Sequence, residues 1–399
     1  MRAGWKTITL NDACIQMNGI WKGTKEPLVP AKVLRTTNFS KDCRIKLDDL
    51  AVIDVEKKKL DARRLQRGDI IVEKSGGGPK QPVGRVILFD MDDDDYSFCN
   101  FTSALRIKDK EQLDFNYLHK YLTYLYFEGE TEKYQSNLVG FRNLDFKGYV
   151  GIEVPYPSLP EQQRIVDILD REFVKIDALK ANAEKSLQAA KDLFLQILTE
   201  TFSNPDWTRK RIGDVFDTGA GGTPLKTYKE YYENGDIPWL RSGEVCKKYI
   251  TETEMFITQL GMDNSSAKMF PENSVVVAMY GATAGQVGIL HLETTTNQAV
   301  CGIFPRKDYI PEFVYYSLLN SKKGLVAQAT GNAQPNISQI KIKNTTIPII
   351  SKDEQVAVVS RLDDLNDRCN TLQENYQKTL SLCDDLKQSL LRKAFNGEL

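Results

Sequence analysis

The sequence predicts an α+β protein in which two similar mixed α/β lobes alternate with two long α-helices. Two observations predict this fold class. Residues 160–202 and 353–395 carry apolar side chains at alternating intervals of three and four, which is the pattern of coiled-coil helices. The lobes that precede these helices repeat the same segments in the same order. Because a repeat decides the architecture, we expect an internal pseudo-twofold repeat.

Short segments that recur in both lobes define this repeat. LRTTNF from Leu34 matches LRSGEV from Leu240, and the helices align through Gln162 and Gln355. The lobes differ most in their loops, where binding residues usually lie. The predicted boundaries are residues 1–158 for the first lobe, 159–203 for the first helix, 204–350 for the second lobe and 351–399 for the second helix.

Within the first lobe, short apolar runs separated by Gly and Pro predict strands and loops. Asp69–Glu73 and Gly84–Phe89 are predicted strands on either side of the Gly-rich loop SGGGPK. The segment DFNYLHKYLTYLYF, which begins at Asp114, repeats aromatic and Leu residues at helical spacing. It therefore predicts a short buried helix.

One heptad row stays in register between the two long helices at an offset of 193 residues. In the second helix a companion row includes Leu372 and Leu386. Such a stripe needs a partner, so we expect the helices to pack as an antiparallel coiled coil. Flush ends would place Ile176 opposite Cys383. The predicted seam residues are Leu169, Ile176, Ala183, Ala190, Ile197, Leu362, Cys369, Tyr376, Cys383 and Leu390.

Composition narrows the class of protein. A net charge of −1 gives no global sign of a nucleic-acid partner. The seven cysteines form no CxxC pair, which is typical of reduced cysteines and not of a disulfide framework or zinc site. The sequence contains neither a long apolar run nor a secretory signal pattern. We therefore expect a cytoplasmic protein.

The sequence offers no catalytic or metal-binding motif. Its two histidines, His119 and His291, stand without nearby ligands or partners, so we interpret both as structural. Asp69, Glu73 and Lys74 resemble the carboxylate cluster of a metal nuclease. Adjacent residues of a strand point to opposite faces, however, so Glu73 and Lys74 cannot converge on one metal. We interpret this cluster as a solvated strand end.

Polar and aromatic side chains on the loops of both lobes are the remaining functional candidates. Arg, Asn, Gln and Lys hydrogen-bond to base edges in the major groove of DNA, and Gly-rich loops let the backbone approach DNA closely. We predict a DNA-binding surface on each lobe. Its residues are Arg35, Thr36, Asn38, Lys74, Ser75, Lys80, Gln81, Asn137 and Arg142 in the first lobe, and Lys226, Tyr228, Arg241, Ser242, Tyr280, Asn332, Gln334 and Asn336 in the second.

Over essentially its whole length the chain resembles the specificity subunits of type I restriction-modification systems. The resemblance is carried by GGTPLKTYKEYYENGDIPWLRSGEV, VVVAMYGATAGQVGIL, IPIISKDEQ, PYPSLPEQQRIVDILD and LLRKAFNGEL. It implies two target-recognition domains joined by two long helices in an antiparallel coiled coil. Each domain would read half of a bipartite double-stranded DNA target, and the coil would set the spacing. The first lobe departs from the family pattern, because SGGGPKQPVGRV stands where a loop like YGATAGQVG is usual.

The resemblance also implies partners. The specificity subunit is not catalytic by itself. Two modification subunits would bind S-adenosylmethionine and methylate adenine N6, and restriction subunits would bind ATP and Mg²⁺ as nuclease and translocase. The outer face of the helices is then a candidate docking surface for the modification subunits. Three alternatives remain open: a nuclease or methyltransferase with a degenerate site, the recognition subunit of another type of restriction-modification system, and a coiled-coil scaffold without a DNA role.

Overall fold

A computed structural model gives the fold of the chain. It describes residues 4–78, 81–93, 95–138, 141–328 and 336–399. The chain divides into two compact units, and each contains one lobe and a part of both long helices. The first unit comprises Met1–Ala183 and Lys378–Leu399, and the second comprises Glu184–Gln377.

In its described residues, the first lobe is built from short strands and four short helices. Its strands are β1 (Lys6–Thr9), β2 (Cys14–Asn18), β3 (Leu28–Leu34), β4 (Ala51–Glu56), β5 (Asp69–Glu73), β6 (Ser75–Gly77), β7 (Val86–Phe89), β8 (Tyr96–Phe98), β9 (Thr102–Ile107), β10 (Gln135–Leu138), β11 (Phe141–Leu144) and β12 (Glu153–Tyr156). Its helices are α1 (Leu10–Ala13), α2 (Lys57–Ala62), α3 (Phe115–Phe127) and α4 (Phe146–Tyr149), and the long helix α5 (Leu159–Phe202) follows.

The second lobe has eleven strands among the residues that are described. They are β13 (Arg209–Arg211), β14 (Thr218–Ala220), β15 (Ile237–Leu240), β16 (Tyr249–Ile250), β17 (Phe256–Ile257), β18 (Met269–Phe270), β19 (Val275–Ala278), β20 (Val287–Leu290), β21 (Thr294–Thr296), β22 (Val300–Ile303) and β23 (Thr346–Pro348). Its helices are α6 (Ile212–Val215), α7 (Gln259–Asp263), α8 (Pro311–Ala327) and α9 (Gln339–Asn344), and the long helix α10 (Lys352–Asn396) follows.

The two lobes share one topology. The main sheet runs in the order β2-β9-β5-β7 in the first lobe and β14-β22-β19-β20 in the second, where β16 adds a fifth strand. Both lobes also contain a parallel pair, β3 with β8 and β15 with β21. In both, the first and last strands pair antiparallel, β1 with β12 and β13 with β23. The internal repeat is therefore present in the fold as well as in the sequence.

The strands and the helix predicted in the first lobe are confirmed in type. Strand β5 has the predicted bounds Asp69–Glu73, and β7 begins two residues later than predicted, at Val86. Helix α3 begins after Asp114, whose side chain accepts a hydrogen bond from the Tyr117 N–H and so caps the helix. Helix α3 buries its apolar face against the main sheet, as its Tyr/Leu spacing predicts.

Within the first unit, α5 and α10 run in opposite directions along each other. Lys180 forms an ion pair with Asp384 at 2.6 Å, and Lys387 forms one with Asp177. Near the ends, the Arg164 guanidinium donates a hydrogen bond to the carbonyl of Leu399 at 3.0 Å. As residue numbers rise in α5, those of the contacted residues therefore fall in α10.

These ion pairs do not fix which residues of the two helices lie directly opposite each other, because long charged side chains reach along the seam. Lys387 also lies over the Phe173 ring, with its Nζ 5.5 Å from the centroid. Ile176 and Cys383 are both buried in the core of the first unit. Their pairing in one layer stays a prediction.

The ten predicted seam residues are all buried or half-buried in their own units. Five of them are no more than 4% exposed: Leu169 at 0%, Leu362 at 0%, Cys369 at 1%, Cys383 at 2% and Ala183 at 4%. The companion row of α10 is different. Leu372 and Leu386 are 41% and 48% exposed. The prediction that these two leucines lie in the seam is therefore wrong. Val358 and Leu365 of the same row pack against the core of the second unit. In the neighbouring row, Val359, Lys387 and Ala394 are buried.

Candidate nucleic-acid interface

Each lobe presents an arginine at the start of a short 3₁₀ turn. The turns are Thr36–Asn38 and Ser242–Glu244, and they begin after Arg35 and Arg241. In each turn the side chain of the third residue accepts a hydrogen bond from the arginine N–H, at 2.8 Å for Asn38 and 3.0 Å for Glu244. The LRTTNF and LRSGEV segments thus form the same capped turn, and the two arginines are structurally equivalent.

Each arginine is held by at least one carboxylate that is itself exposed. Arg35 pairs with Asp49 at 2.7 Å, and the Asp49 side chain is 74% exposed. Arg241 pairs with Glu254, whose side chain is 73% exposed, and with Glu244 within the turn. Exposed ion pairs of this kind stabilise a fold by less than about 1 kcal/mol. Either arginine can therefore exchange its exposed carboxylate for a phosphate or a guanine edge at little cost.

Asn38 is a correction to the predicted DNA contacts. The residue is 1% exposed. Its amide nitrogen donates hydrogen bonds to the carbonyls of Lys46 at 2.8 Å and Asp49 at 3.2 Å, while its oxygen caps the turn. All of its polar groups are used inside the lobe, so Asn38 shapes the turn that presents Arg35 and has no free group for DNA.

A small sheet of β10, β11 and β6 brings together other predicted residues of the first lobe. Arg142 of β11 lies opposite Gly77 and opposite Asn137 in the strand register. Ser75 donates a hydrogen bond to Asn143 at 2.5 Å. The Arg142 side chain contacts Gln135 at 3.3 Å. The loop that departs from the family pattern thus forms a strand, and its residues share one sheet with Arg142.

Lys74 stands just before this sheet and is half-buried. Its ammonium donates a hydrogen bond to Asn18 at 3.0 Å and lies 5.6 Å from the Phe146 ring centroid. Burial lowers the pKa of Lys74 from its ordinary value. Gln81 is exposed and forms a β-bridge with Gly78. Lys74 is therefore a positioned cation beside the sheet, and Gln81 is an exposed amide next to it.

The carboxylates at the two ends of β5 are a second correction. Asp69 and Glu73 were predicted to form a solvated strand end, but each is 1% exposed. Glu73 binds the Arg85 guanidinium at 2.8 Å, and Asp69 binds Arg106 at 2.7 Å. Burial of a carboxylate is costly without a charged partner, and each arginine provides one in a bidentate pair. Their role is structural.

In the second lobe, Arg241 and Ser242 line an open groove of about 850 Å³, together with Lys247 and Asn297. The Thr283 hydroxyl donates a hydrogen bond to the Ser242 carbonyl at 3.0 Å. This contact joins the arginine turn to the turn Gly281–Thr283.

Tyr280 begins the Gly281–Thr283 turn and forms a β-bridge with Asn336. Gly281 adopts a φ of +77°, which favours glycine over residues with a side chain. Arg241, Ser242, Tyr280 and Asn336 are thus linked through adjoining turns into one surface of the second lobe.

Lys226 and Tyr228 lie on a different loop of the second lobe. Both are exposed, and the Tyr228 ring lies 5.2 Å from that of Tyr231. The Tyr232 hydroxyl donates a hydrogen bond to the Pro224 carbonyl at 2.5 Å, which holds the loop against the lobe. Three further predicted residues, Lys80, Asn332 and Gln334, lie outside the residues that the structure describes.

Sequence reasoning missed an exposed aromatic pair next to the Lys74 region. Trp21 is 67% exposed and Phe101 is 47% exposed, and their ring centroids are 6.1 Å apart. The Phe101 carbonyl accepts hydrogen bonds from the backbone N–H groups of Lys74 and Ser75, at 2.9 and 3.2 Å. The sequence feature that could have indicated this pair is a Trp in a Gly- and Lys-rich loop without an apolar pattern around it.

The two histidines have separate surroundings. His119 lies with its Nε2 3.2 Å from the carbonyl of Cys43. Burial lowers the pKa of His119 to about 3, so the ring is neutral at ordinary pH. The His291 ring packs on Tyr249 with centroids 4.5 Å apart. Within the part of the chain that is described, no helix is both long enough and apolar enough to cross a membrane.

The family of type I restriction modification DNA specificity domains matches residues 3–189 and 204–382 of this chain. Each match begins with a lobe and extends into the long helix that follows it. The chain belongs to this family.

Characterised relatives agree with this membership. The chain is 26% identical over 245 residues to the specificity subunit of the type I restriction enzymes EcoR124I/EcoR124II from Escherichia coli, which covers 58% of this chain and 59% of that subunit. It is 24% identical over 309 residues to the MjaIX specificity subunit from Methanocaldococcus jannaschii, over 70% of this chain and 69% of the relative. The first alignment thus spans about three fifths of the relative's length.

Solved structures of this family share the fold. A chain described in work on complex assembly and conformational transition of the type I R-M system superposes with a TM-score of 0.81 at 18% identity, over 100% of this chain and 99% of that chain. The HsdS subunit from Thermoanaerobacter tengcongensis gives a TM-score of 0.61 at 18% identity, over 100% and 98% of the two chains. At this identity the likeness concerns the fold alone.

Proposed function

We propose that this chain is the DNA sequence-recognition subunit of a type I restriction-modification complex. Each lobe reads one half of a bipartite target, and the long helices fix the distance between the halves. One observation carries the proposal: two lobes of the same topology each present an arginine on the same capped turn, held by a carboxylate more than 70% exposed. Arginines presented in this way suit guanine edges and phosphates.

The helices would act as the spacer by forming one antiparallel coiled coil. The opposite chain directions in the first unit and the buried seam residues of both units support this arrangement. A helix of 44 residues is about 66 Å long, whereas one turn of DNA measures about 34–36 Å. A rod of that length can hold two reading surfaces apart on DNA. Linking two weak readers in this way raises the affinity of the whole molecule.

Two modification subunits would dock on the helices, and repeated exposed leucines support two equivalent sites. Leu179 and Leu372 occupy equivalent positions at the offset of 193 residues, as do Leu193 and Leu386. Their exposed fractions are 50%, 41%, 42% and 48%. Each unit contains two of these four leucines, one from each long helix. The first unit contains Leu179 and Leu386, and the second contains Leu193 and Leu372. Exposed apolar side chains on a polar helix are typical of a surface that a partner covers.

The chemistry would then reside on the partners. S-adenosylmethionine would bind to the modification subunits, whereas ATP and Mg²⁺ would bind to restriction subunits. This chain would contribute target recognition without a catalytic residue of its own. A cytoplasmic location is supported by the seven free cysteines, six of which are buried thiols.

Methylome sequencing of a host with and without this chain and its methyltransferase tests the proposal. We expect a methylated motif of two separated halves that is present only when the chain is expressed. Arg241→Ala should relax or abolish recognition in one half and leave the other half unchanged. Arg211→Ala, which removes an exposed arginine of β13 in the same lobe, is the matched control and should leave both halves unchanged. A motif that does not depend on the chain, or methylation by the chain alone, would contradict the proposal.

A further inference from the structure

Gln162, in the first turn of α5, is fully buried at 0% exposure. Its amide oxygen accepts a hydrogen bond from the Asp114 N–H at 2.9 Å. Its amide nitrogen donates to the carbonyls of Gln112 at 3.0 Å and Pro157 at 2.9 Å. Asp114 caps α3, and Pro157 follows β12. A single side chain therefore ties the start of the long helix to two other segments of the first lobe.

Gln355 makes the same three contacts in the second lobe. It is also 0% exposed. Its oxygen accepts from the Ile310 N–H at 3.0 Å, and its nitrogen donates to the carbonyls of Asp308 at 2.9 Å and Ile350 at 3.1 Å. Ile310 is the N-cap residue of α8, as Asp114 is of α3. The arrangement is therefore built twice, from equivalent residues.

A second contact lies two turns further along each helix. Asp170, eight residues after Gln162, pairs with Lys120 of α3 at 2.5 Å. Asp363, eight residues after Gln355, accepts a hydrogen bond from the Tyr316 hydroxyl of α8 and pairs with Lys248. In both lobes, polar side chains thus join the long helix to the lobe helix at two points along its length, beside the apolar core that the two helices share.

We propose that Gln162 with Asp170, and Gln355 with Asp363, form two clamps that set the angle between each lobe and its long helix. The apolar contacts of the shared core are not directional, whereas polar contacts at two points along the helix fix a direction. Hydrogen bonds to buried backbone groups are directional, so each glutamine permits little change of angle. This inference rests on the proposed function, because the angle would determine which spacer lengths the two lobes can span.

The clamp residues are therefore positioning residues for DNA recognition. Loosening a clamp should let the complex accept spacers that are one base pair too short or too long. It should not change the bases that are read, because neither clamp includes a residue of the arginine turns. A role in folding alone would lower methylation on all spacers in equal proportion.

The test uses the specificity subunit assembled with its methyltransferase and DNA duplexes with the native spacer or with one base pair added or removed. For the double variant Gln162→Leu/Asp170→Asn, we expect methylation at the altered spacers relative to the native spacer to rise about tenfold, which corresponds to about 1.4 kcal/mol. Gln355→Leu should have the same effect through the second lobe. Gln163→Leu, which changes an exposed neighbour, is the control and should keep the wild-type ratio.

Asp170→Asn alone keeps the inference testable should the buried substitution prevent folding, because the Asp170 side chain is 53% exposed. An unchanged ratio in this variant and in Gln355→Leu would overturn the inference. So would an equal loss of methylation on all three spacers. If the wild-type complex methylates no bipartite target, the proposed function itself fails, and that result is seen before any variant is made.

Discussion

At the scale of single residues, one buried arginine–carboxylate pair holds the turn that presents Arg35. Arg85 binds Glu73 through Nε and Nη2, both at 2.8 Å, and donates a third hydrogen bond to the Phe39 carbonyl at 2.9 Å. Phe39 directly follows the Thr36–Asn38 turn. The guanidinium therefore connects the end of β5 to the turn that carries Arg35.

Glu73→Gln should lower the free energy of unfolding by about 3–5 kcal/mol, because it leaves a buried arginine without its charged partner. The Asp90→Asn variant is the control. Asp90 pairs with Arg67 at 2.6 Å, but both side chains are about half exposed, at 49% and 56%, so its loss should cost less than about 1 kcal/mol. Urea denaturation of both variants measures the difference. Equal losses would show that the buried pair does not hold the lobe together.

The sequence identified the arginines of the capped turns but not these pairs. The turns are local: an arginine and the polar residue three positions later complete them. The partners of Glu73 and Asp69 lie 12 and 37 residues further along the chain. Only the pairing of β5 with β7 and β9 brings Arg85 and Arg106 to them. Without those partners, a carboxylate at a strand end predicts exposure to solvent.

At the scale of elements, the heptad pattern predicted the long helices and the first seam row but misplaced part of the second. Leu372 and Leu386 fit an apolar row by spacing alone. In the structure, Val359, Lys387 and Ala394 of the row one residue later are buried. Spacing cannot separate a row that faces the partner helix from one beside it, because both carry apolar residues. The exposed row is the surface that we propose for the modification subunits.

Replacing the exposed leucines should remove the modification subunits one at a time. Leu179→Ser/Leu386→Ser should leave a complex with one modification subunit, and the fourfold variant that adds Leu193→Ser and Leu372→Ser should leave none. Each leucine buried against a partner contributes about 1.5–3 kcal/mol, so each loss weakens binding by at least about tenfold. Native mass spectrometry measures the stoichiometry.

Val174→Ser/Leu195→Ser is the matched control, because these residues are 69% and 54% exposed on α5 and have no exposed apolar counterpart at the equivalent positions of α10. The control should retain two modification subunits. If it lost them as readily as the leucine variants did, the docking surface would lie elsewhere on the helices.

At the scale of the whole molecule, the repeat is the feature that the sequence predicted best. The repeat can be recognised without long identical segments. The short strands, the capped turns and the helix starts recur together in the same order. The Gln162 and Gln355 anchors lie within the matched helix starts, but their bonds to α3 and α8 are tertiary. The alignment therefore located these residues, and only the structure revealed their role.

The central claim is that the helices set the distance between two independently read half-sites. Inserting one heptad into each helix, after Ala183 and after Gln377 where the compact units meet in sequence, tests it most directly. Seven residues lengthen a helix by about 10.5 Å, or about three base pairs of DNA at 3.4 Å each. Methylome sequencing should then show both half-sites unchanged and a spacer about three base pairs longer. An unchanged spacer, or a changed half-site, would contradict the account.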